Sequence, residues 1–256
     1  MTYTTSAIVL KNSQFREYDK LVTIYTHSYG KITALARGTL KIKSKLCGHL
    51  EPFVCSSLMI AKGRTFDIVA QSSAENVFPA IRRNFLKTIT ANVALEAVNA
   101  CTHEGLEDEL IFHHLRSFLV ALERAKLTEK VIARQMASMF LYKLLKLLGH
   151  EPSIEKCAQC KCLVSAHLLS AFDFAHSSLL CHKCYDGRGG AGGEVILNEH
   201  DVRTLQNWAQ YDFADSAPLQ RQCTEPALEV TTTSARYLMD GKYLSSLIFL
   251  ERYCTI

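Results

Sequence analysis

Polar and apolar residues alternate over Lys31-Ile-Thr-Ala-Leu-Ala-Arg37, as a strand with one buried face requires. Ser6–Leu10 is a short apolar run, and Lys20–Thr26 (KLVTIYT) is β-branched and aromatic, with His27-Ser-Tyr-Gly30 as the turn into the next strand. Phe53–Ala61 and Thr65–Ala70, joined by Lys62-Gly63-Arg64 as a hairpin turn, complete a set of about five strands. Five short antiparallel strands in about 75 residues suit a small barrel of the oligonucleotide-binding type. A small SH3-like barrel or an open sheet would use the same pattern.

After Pro79 the period lengthens from two to about 3.6. Ile81–Cys101 is rich in Ala and Leu and prone to helix. Glu107-Asp108-Glu109 precedes the apolar positions Leu110, Ile111, Leu115, Phe118, Leu119 and Leu122. Acids suit the first turn of a helix, so this cluster reads as a helix start rather than a catalytic pair. A third helix is expected from about Thr128 to Leu148, striped by Ile132, Met136, Phe140, Leu144 and Leu148. Gly149 closes it as a C′ residue, with Pro152 just beyond. Helical patterns return at Glu199–Tyr211, about Ala227–Asp240, and Tyr243–Tyr253. The GGAGG run at Gly189–Gly193 lacks the Lys-Ser/Thr of a phosphate-gripping loop and reads as a linker.

The expected fold class is α+β: an N-terminal five-stranded OB-fold barrel, then a helical domain with an embedded zinc finger. The expected domains are a nucleic-acid-binding barrel at 1–80, a first helical part at 81–152, a four-cysteine zinc finger at 153–188, and a second helical part at 189–256.

Charge sharpens this division. The chain of 256 residues carries a formal net charge of +4. Residues 1–80 hold ten of the 29 Lys/Arg but only five of the 25 acids, so this third carries +5 and the remainder −1. From Lys20 to Leu50 there is no acid at all, against six cations: Lys20, Lys31, Arg37, Lys41, Lys43 and Lys45. Lys41, Lys43 and Lys45 recur at every second position, which in an extended segment would place three ammonium groups on one side. A strand feeding such a loop predicts a surface for a polyanion.

Cys157-x2-Cys160 and Cys181-x2-Cys184 are the most specific local signal in the chain. Two such turns bring four thiolates to one tetrahedral cage, for which structural Zn2+ is the default metal. A redox-active pair is the rival reading. Cys162, His167, His176 and His182 are nearby spares, and Cys47, Cys55, Cys101, Cys223 and Cys254 read as small buried apolar residues. Residues 151–186 hold three Lys against four acids, so the finger props up a fold or meets a protein rather than gripping phosphate.

No G-x-G-x-x-G, Walker, H-E-x-x-H or G-x-S-x-G pattern is present, and His113-His114 face different ways on a helix. The expectation is a binding protein and not an enzyme. The N-terminus lacks a basic region followed by an apolar one, and no apolar run approaches ~20 residues, so a cytoplasmic setting with reduced thiols is expected.

These pieces occur in an order that resembles the bacterial DNA repair protein RecO family. The resemblance rests on SAIVLKNSQFREYDKLVTIYTHSYGKITALARGTLKIKSK from Ser6, LEPF at Leu50–Phe53, the segment ending at Phe78-Pro79, LLKLLGHEP at Leu144–Pro152, and the paired cysteines. It covers most of the chain. It implies a recombination mediator that binds single- and double-stranded DNA and anneals complementary strands coated with single-strand-binding protein (SSB). It also implies that, with RecR, such a protein helps load RecA on that coated DNA, in the nucleoid. A zinc-ribbon RNA-binding accessory factor of transcription or translation is the alternative reading.

Charge and resemblance together single out Arg16, Lys20, Lys31, Arg37, Lys41, Lys43, Lys45 and Arg64 as phosphate contacts. Phe15, Tyr18 and Tyr29 are candidates for base stacking or for barrel core. The resemblance further implies a pocket for the acidic, Phe-ended SSB tail. Lys126, Lys130 and Arg134, spaced i, i+4, i+8 beside Leu127 and Val131, are the candidate stripe for it.

Overall fold

The computed structural model describes residues 1–44, 46–164, 170–186, 194–213 and 224–253. The chain forms two compact units, Met1–Ala125 and Lys126–Ile256.

In the first unit, β1 (Thr2–Gln14), β2 (Lys20–Thr26), β3 (Gly30–Ala36), β4 (Cys55–Ala61) and β5 (Asp67–Asn76) close a barrel in the order β1-β2-β3-β5-β4. Four seams are antiparallel and one, β3 with β5, is parallel, with Ala34 opposite Asp67 and Leu35 opposite Ile68. β1 is longer than its apolar run predicts because it serves two partners. Its first half pairs with β4, its second half with β2, and a register shift between Val9 and Lys11 bends it between them. Ala7, Val9, Val22, Ile24, Ala34, Ala36, Leu50, Leu58, Ile60 and Val69 fill the interior. Ile8 and Leu10 are buried as well, and α2 packs on β1. That outer cover explains why this strand reads as a continuous apolar run instead of an alternation.

Three helices complete this unit: α1 (Pro79–Arg83), α2 (Phe85–Cys101) and α3 (Glu109–Arg124). The helix expected over Ile81–Cys101 is broken at Asn84, which is extended (φ −118°, ψ 119°) and accepts the Lys87 N–H at 3.0 Å. An Asn side chain that caps a new helix competes well with its own place in a continuous one. Asp108 caps α3 in the same way, accepting from Leu110 and Ile111 N–H, so the acidic cluster is a helix start. Gly30 has φ +61°, and a Cβ there would lie 1.9 Å from the Leu106 carbonyl oxygen. The β2–β3 turn therefore closes directly against the α2–α3 connection only because residue 30 has no side chain.

The second unit begins with α4 (Lys130–Leu147). Gly149 (φ +78°) ends it in a Schellman motif: its N–H reaches Lys146 O and the His150 N–H reaches Leu145 O. The chain then forms β6 (Ser153–Cys157), β7 (Ser170–Asp173), β8 (Ser178–Leu180), α5 (His182–Asp186) and β9 (Glu194–Leu197), with sheet order β6-β8-β7-β9. α6 (Glu199–Gln210), α7 (Glu225–Leu238) and α8 (Ser245–Tyr253) follow. Ile154, Phe172, Leu179 and Leu197 from the sheet share one core with Met139, Tyr142, Leu205, Trp208 and Leu228 from the helices. The cysteine region is thus built into the helical unit as a sheet, which the spacing of the cysteines alone did not indicate. Among the described residues, no helix is long and apolar enough to cross a membrane. The Gly189–Gly193 run lies outside the described residues.

Candidate nucleic-acid interface and metal centre

One groove of the barrel gathers three of the predicted cations. It has a volume of about 310 Å³ and is lined by Phe15, Arg16, Arg37, Arg64, Phe66 and neighbouring backbone. Three separate segments supply these residues: the β1–β2 loop, the end of β3 and the β4–β5 hairpin. The parallel pairing of β3 with β5 is what brings Arg64 beside Arg37. Gly63 permits the hairpin, since a Cβ at this position would lie 1.9 Å from Phe66 O. Phe15 and Phe66 meet edge to face with ring centroids 5.6 Å apart, and the Arg16 guanidinium stands 5.4 Å from the Phe15 centroid. Phe15 is 39% exposed, so it is not barrel core. Guanidinium forks beside the exposed Phe15 and the half-buried Phe66 fit phosphates and bases respectively. Phe66 escaped the sequence reading; the signal for it was an aromatic residue in a hairpin tip, at G-R-T-F.

The loop after β3 is fixed to the β1–β2 loop. Gly38 N–H donates to Asp19 Oδ1 at 2.8 Å and Leu40 N–H donates to Tyr18 O at 3.0 Å. Lys41 Nζ lies 5.7 Å from the centroid of the exposed Tyr18 ring. Residues 37–43 run as turns, with Lys41 N–H bonded to Gly38 O and Ser44 N–H to Lys41 O. The one-sided array expected of an extended Lys41-Lys43-Lys45 segment therefore does not arise from strand alternation. Lys43 is exposed, and Lys45 lies outside the described residues.

Two predicted cations have other partners. Lys20 Nζ lies 2.8 Å from Glu51 Oε1, and its side chain is 14% exposed. Lys31 is the second residue of β3, six residues before Arg37, about 20 Å along an extended chain. Its Nζ donates to Asn99 O at 2.6 Å and to Thr102 O, at the end of α2. Tyr29, next to it, packs on Tyr3 with centroids 4.2 Å apart and does not line the groove.

The i, i+4, i+8 stripe does not form on one helix. Lys126 precedes the first residue of α4, and Leu127 is buried. Arg134 makes a two-pronged ion pair with Glu225 on α7, at 2.5 and 2.6 Å. Packing of α4 on α7 brings up an acid from a distant part of the chain that the local spacing could not reveal.

The four predicted cysteines do converge. Parallel pairing sets Cys157 of β6 opposite Leu179 of β8, so the two C-x2-C turns lie side by side. The Sγ atoms of Cys157, Cys160, Cys181 and Cys184 all lie within 4.8 Å of one another, with Cys160 and Cys181 3.7 Å apart. Zn–S bonds of ~2.3 Å imply sulfur separations of about 3.8 Å in a tetrahedron. Burial opposes ionisation of Cys157. Converging N–H groups of Cys160, Cys181 and Gln159 nonetheless hold its thiol down at about 6. Cys184 is pushed up to about 12, first through its hydrogen bond to Cys160. Four thiolates within 4.8 Å of one another repel unless a cation lies among them, so the residues fit a structural metal. Among the described residues no histidine joins the cluster, and His176 Nδ1 lies 2.7 Å from Asp173 Oδ2 instead. Cys55 is buried but Cys47 is exposed, contrary to the expectation of burial. His167, Cys223 and Cys254 lie outside the described residues.

Strand order and closure define the fold class, an oligonucleotide-binding barrel. The family description "Recombination protein O N terminal" matches residues 1–78, and "Recombination protein O C terminal" matches residues 82–245. Similar curated proteins are the DNA repair protein RecO of Syntrophus aciditrophicus, 32% identical over 72% of this chain and 70% of its own length, and that of Pelotomaculum thermopropionicum, 31% identical over 80% and 77%. The RecO of Moorella thermoacetica is 26% identical over 95% of this chain and 88% of its own. The chain belongs to the recombination protein O family, a family of DNA repair and recombination proteins.

Proposed function

We propose that this chain is a recombination mediator that binds single- and double-stranded DNA, anneals complementary strands and, with RecR, helps load RecA on SSB-coated DNA. The observation that carries the DNA-binding core is the meeting of Arg16, Arg37 and Arg64 with Phe15 and Phe66 in one groove. Among the residues that line it there is no acid. The proposed phosphate contacts are these three arginines with Lys41 and Lys43 on the adjoining loop, and Lys45 next to it in sequence. Lys20 joins them only after leaving Glu51, and Lys31 is left out because its ammonium serves the end of α2. The family relationship supports the partners RecR, RecA and SSB; the Lys126-Lys130-Arg134 stripe is left out of the proposed contacts because Arg134 already pairs with Glu225. Zn2+ is the proposed metal of the four-cysteine cage, in a structural role.

The test is a salt titration of single-stranded DNA affinity, together with annealing of SSB-coated strands. Each lost phosphate contact lowers the log–log slope by about 0.7. Neutralising Arg16, Arg37 and Arg64 together should therefore flatten it by about two and slow annealing. An unchanged slope in that variant would defeat the assignment of the groove.

A further inference from the structure

The cage needs four thiols, but five converge on it. Cys162 Sγ lies 3.3 Å from Cys160 Sγ, closer than the 3.7 Å between Cys160 and Cys181. Cys162 also neighbours Cys181. The backbone holds it there: Lys161 N–H donates to Cys157 O at 3.0 Å, and Cys157 N–H donates to Cys162 O at 2.9 Å. Lys161 adopts φ +61° to make this reversal. Cys160 and Cys162 are both exposed, whereas Cys157 is buried. A tetrahedral site filled by the quartet leaves Cys162 as a thiol beside one of its ligands.

We infer that Cys160 and Cys162 form an oxidation site that controls metal occupancy: a hydroperoxide converts the pair to a disulfide and unloads the cage. This rests on the reading of the quartet as a metal cage. Hydrogen peroxide is the oxidant. The Cys160 thiolate attacks one peroxide oxygen, the O–O bond breaks, and a sulfenic acid and hydroxide result. The Cys162 sulfur then attacks the sulfenic sulfur. The S–S bond forms, the S–O bond breaks, and the departing hydroxide takes the Cys162 proton and leaves as water. Two electrons pass from the sulfur pair to the peroxide. The cage is left with three thiolates and an open position, which binds structural zinc far more weakly. A dithiol reductant reverses the step by exchange and restores the fourth ligand.

The test uses the full chain loaded with zinc, as wild type, Cys162→Ser and Cys47→Ser. Each is treated with hydrogen peroxide while zinc release is followed with a chromogenic chelator and disulfides are mapped by peptide mass. All three reduced proteins should hold zinc. Wild type and Cys47→Ser should release it about tenfold faster than Cys162→Ser, with a Cys160–Cys162 linkage recovered and release reversed by dithiol. Equal release from Cys162→Ser overturns the proposal, as does a linkage joining other members of the quartet. Failure of reduced Cys162→Ser to hold zinc also overturns it, because Cys162 would then be a ligand. Absence of zinc from reduced wild type is a different failure, since it removes the metal reading itself.

Discussion

The ammonium of Lys31 lies 2.6 Å from the carbonyl oxygen of Asn99, in the last turn of α2. The last carbonyls of a helix have no partner within it, and a cation there meets both their lone pairs and the negative end of the helix dipole. Burial holds the Lys31 pKa below its ordinary value, against the pull of Glu104.

Lys31→Met should therefore weaken folding and leave DNA binding alone. The expected loss is about 1.5–3 kcal/mol, the range for hydrogen bonds made by charged groups. Urea denaturation reads the first effect. A salt titration of DNA affinity reads the second, and a changed slope would return Lys31 to the phosphate surface.

Within the groove, Arg64 and Phe66 should fail in different ways. Arg64→Gln is expected to lower the salt slope by about 0.7. Phe66→Ala is expected to cost about 1–3 kcal/mol of single-strand affinity, for one lost stacking platform, at an unchanged slope. Fluorescence anisotropy at several salt concentrations separates the two.

The hairpin that carries both residues should loosen in acid. Burial raises the Asp67 pKa, but the Lys62 ammonium at 2.9 Å, the Gly63 N–H at 3.3 Å and the Tyr3 hydroxyl at 3.2 Å together hold it below the usual carboxylate range. A carboxylate depressed in the folded state stabilises above its unfolded pKa of about 3.9, and that stability disappears as pH falls through the folded value. Asp67→Asn should lower stability at neutral pH and reduce the loss of stability below pH ~4. Denaturant midpoints of both proteins across pH 2–7 check the sign.

Metal removal should act on the second unit. Trp208 is the single tryptophan of the chain and lies fully buried in the core shared by sheet and helices. Its fluorescence therefore reports on that unit directly. Chelation, or Cys157→Ser, should shift its unfolding transition down by several kcal/mol, since metal binding free energy is folding free energy at such sites. An unmoved transition after verified zinc loss would contradict a structural role.

Much of the local structure was legible. Lys20–Thr26 is the same strand in pattern and in space, and Gly149 ends α4 where a C′ glycine was expected. The cysteine spacing announced a cage that forms. Less was legible where a residue answers to distant partners. The sheet strand at Glu194–Leu197 and the place of Phe66 in the groove depend on what packs nearby. Lys41 and Lys43 do not follow strand alternation, because the chain turns there after Gly38 and Leu40 are held by Asp19 and Tyr18 from another loop.

By itself, the sequence determined the barrel strands, most of the long helices, the four-thiol cage and the concentration of positive charge at the N-terminal side. Those depend on periodicity, spacing and composition, which act over a few residues or simply add. Only the tertiary structure decided which cations meet in space. Arg16, Arg37 and Arg64 meet because β3 pairs in parallel with β5, whereas Lys31 is drawn to a helix end and Arg134 to Glu225. An exposed charge carries no local preference for its partner. Strand register and helix packing choose that partner across long stretches of chain.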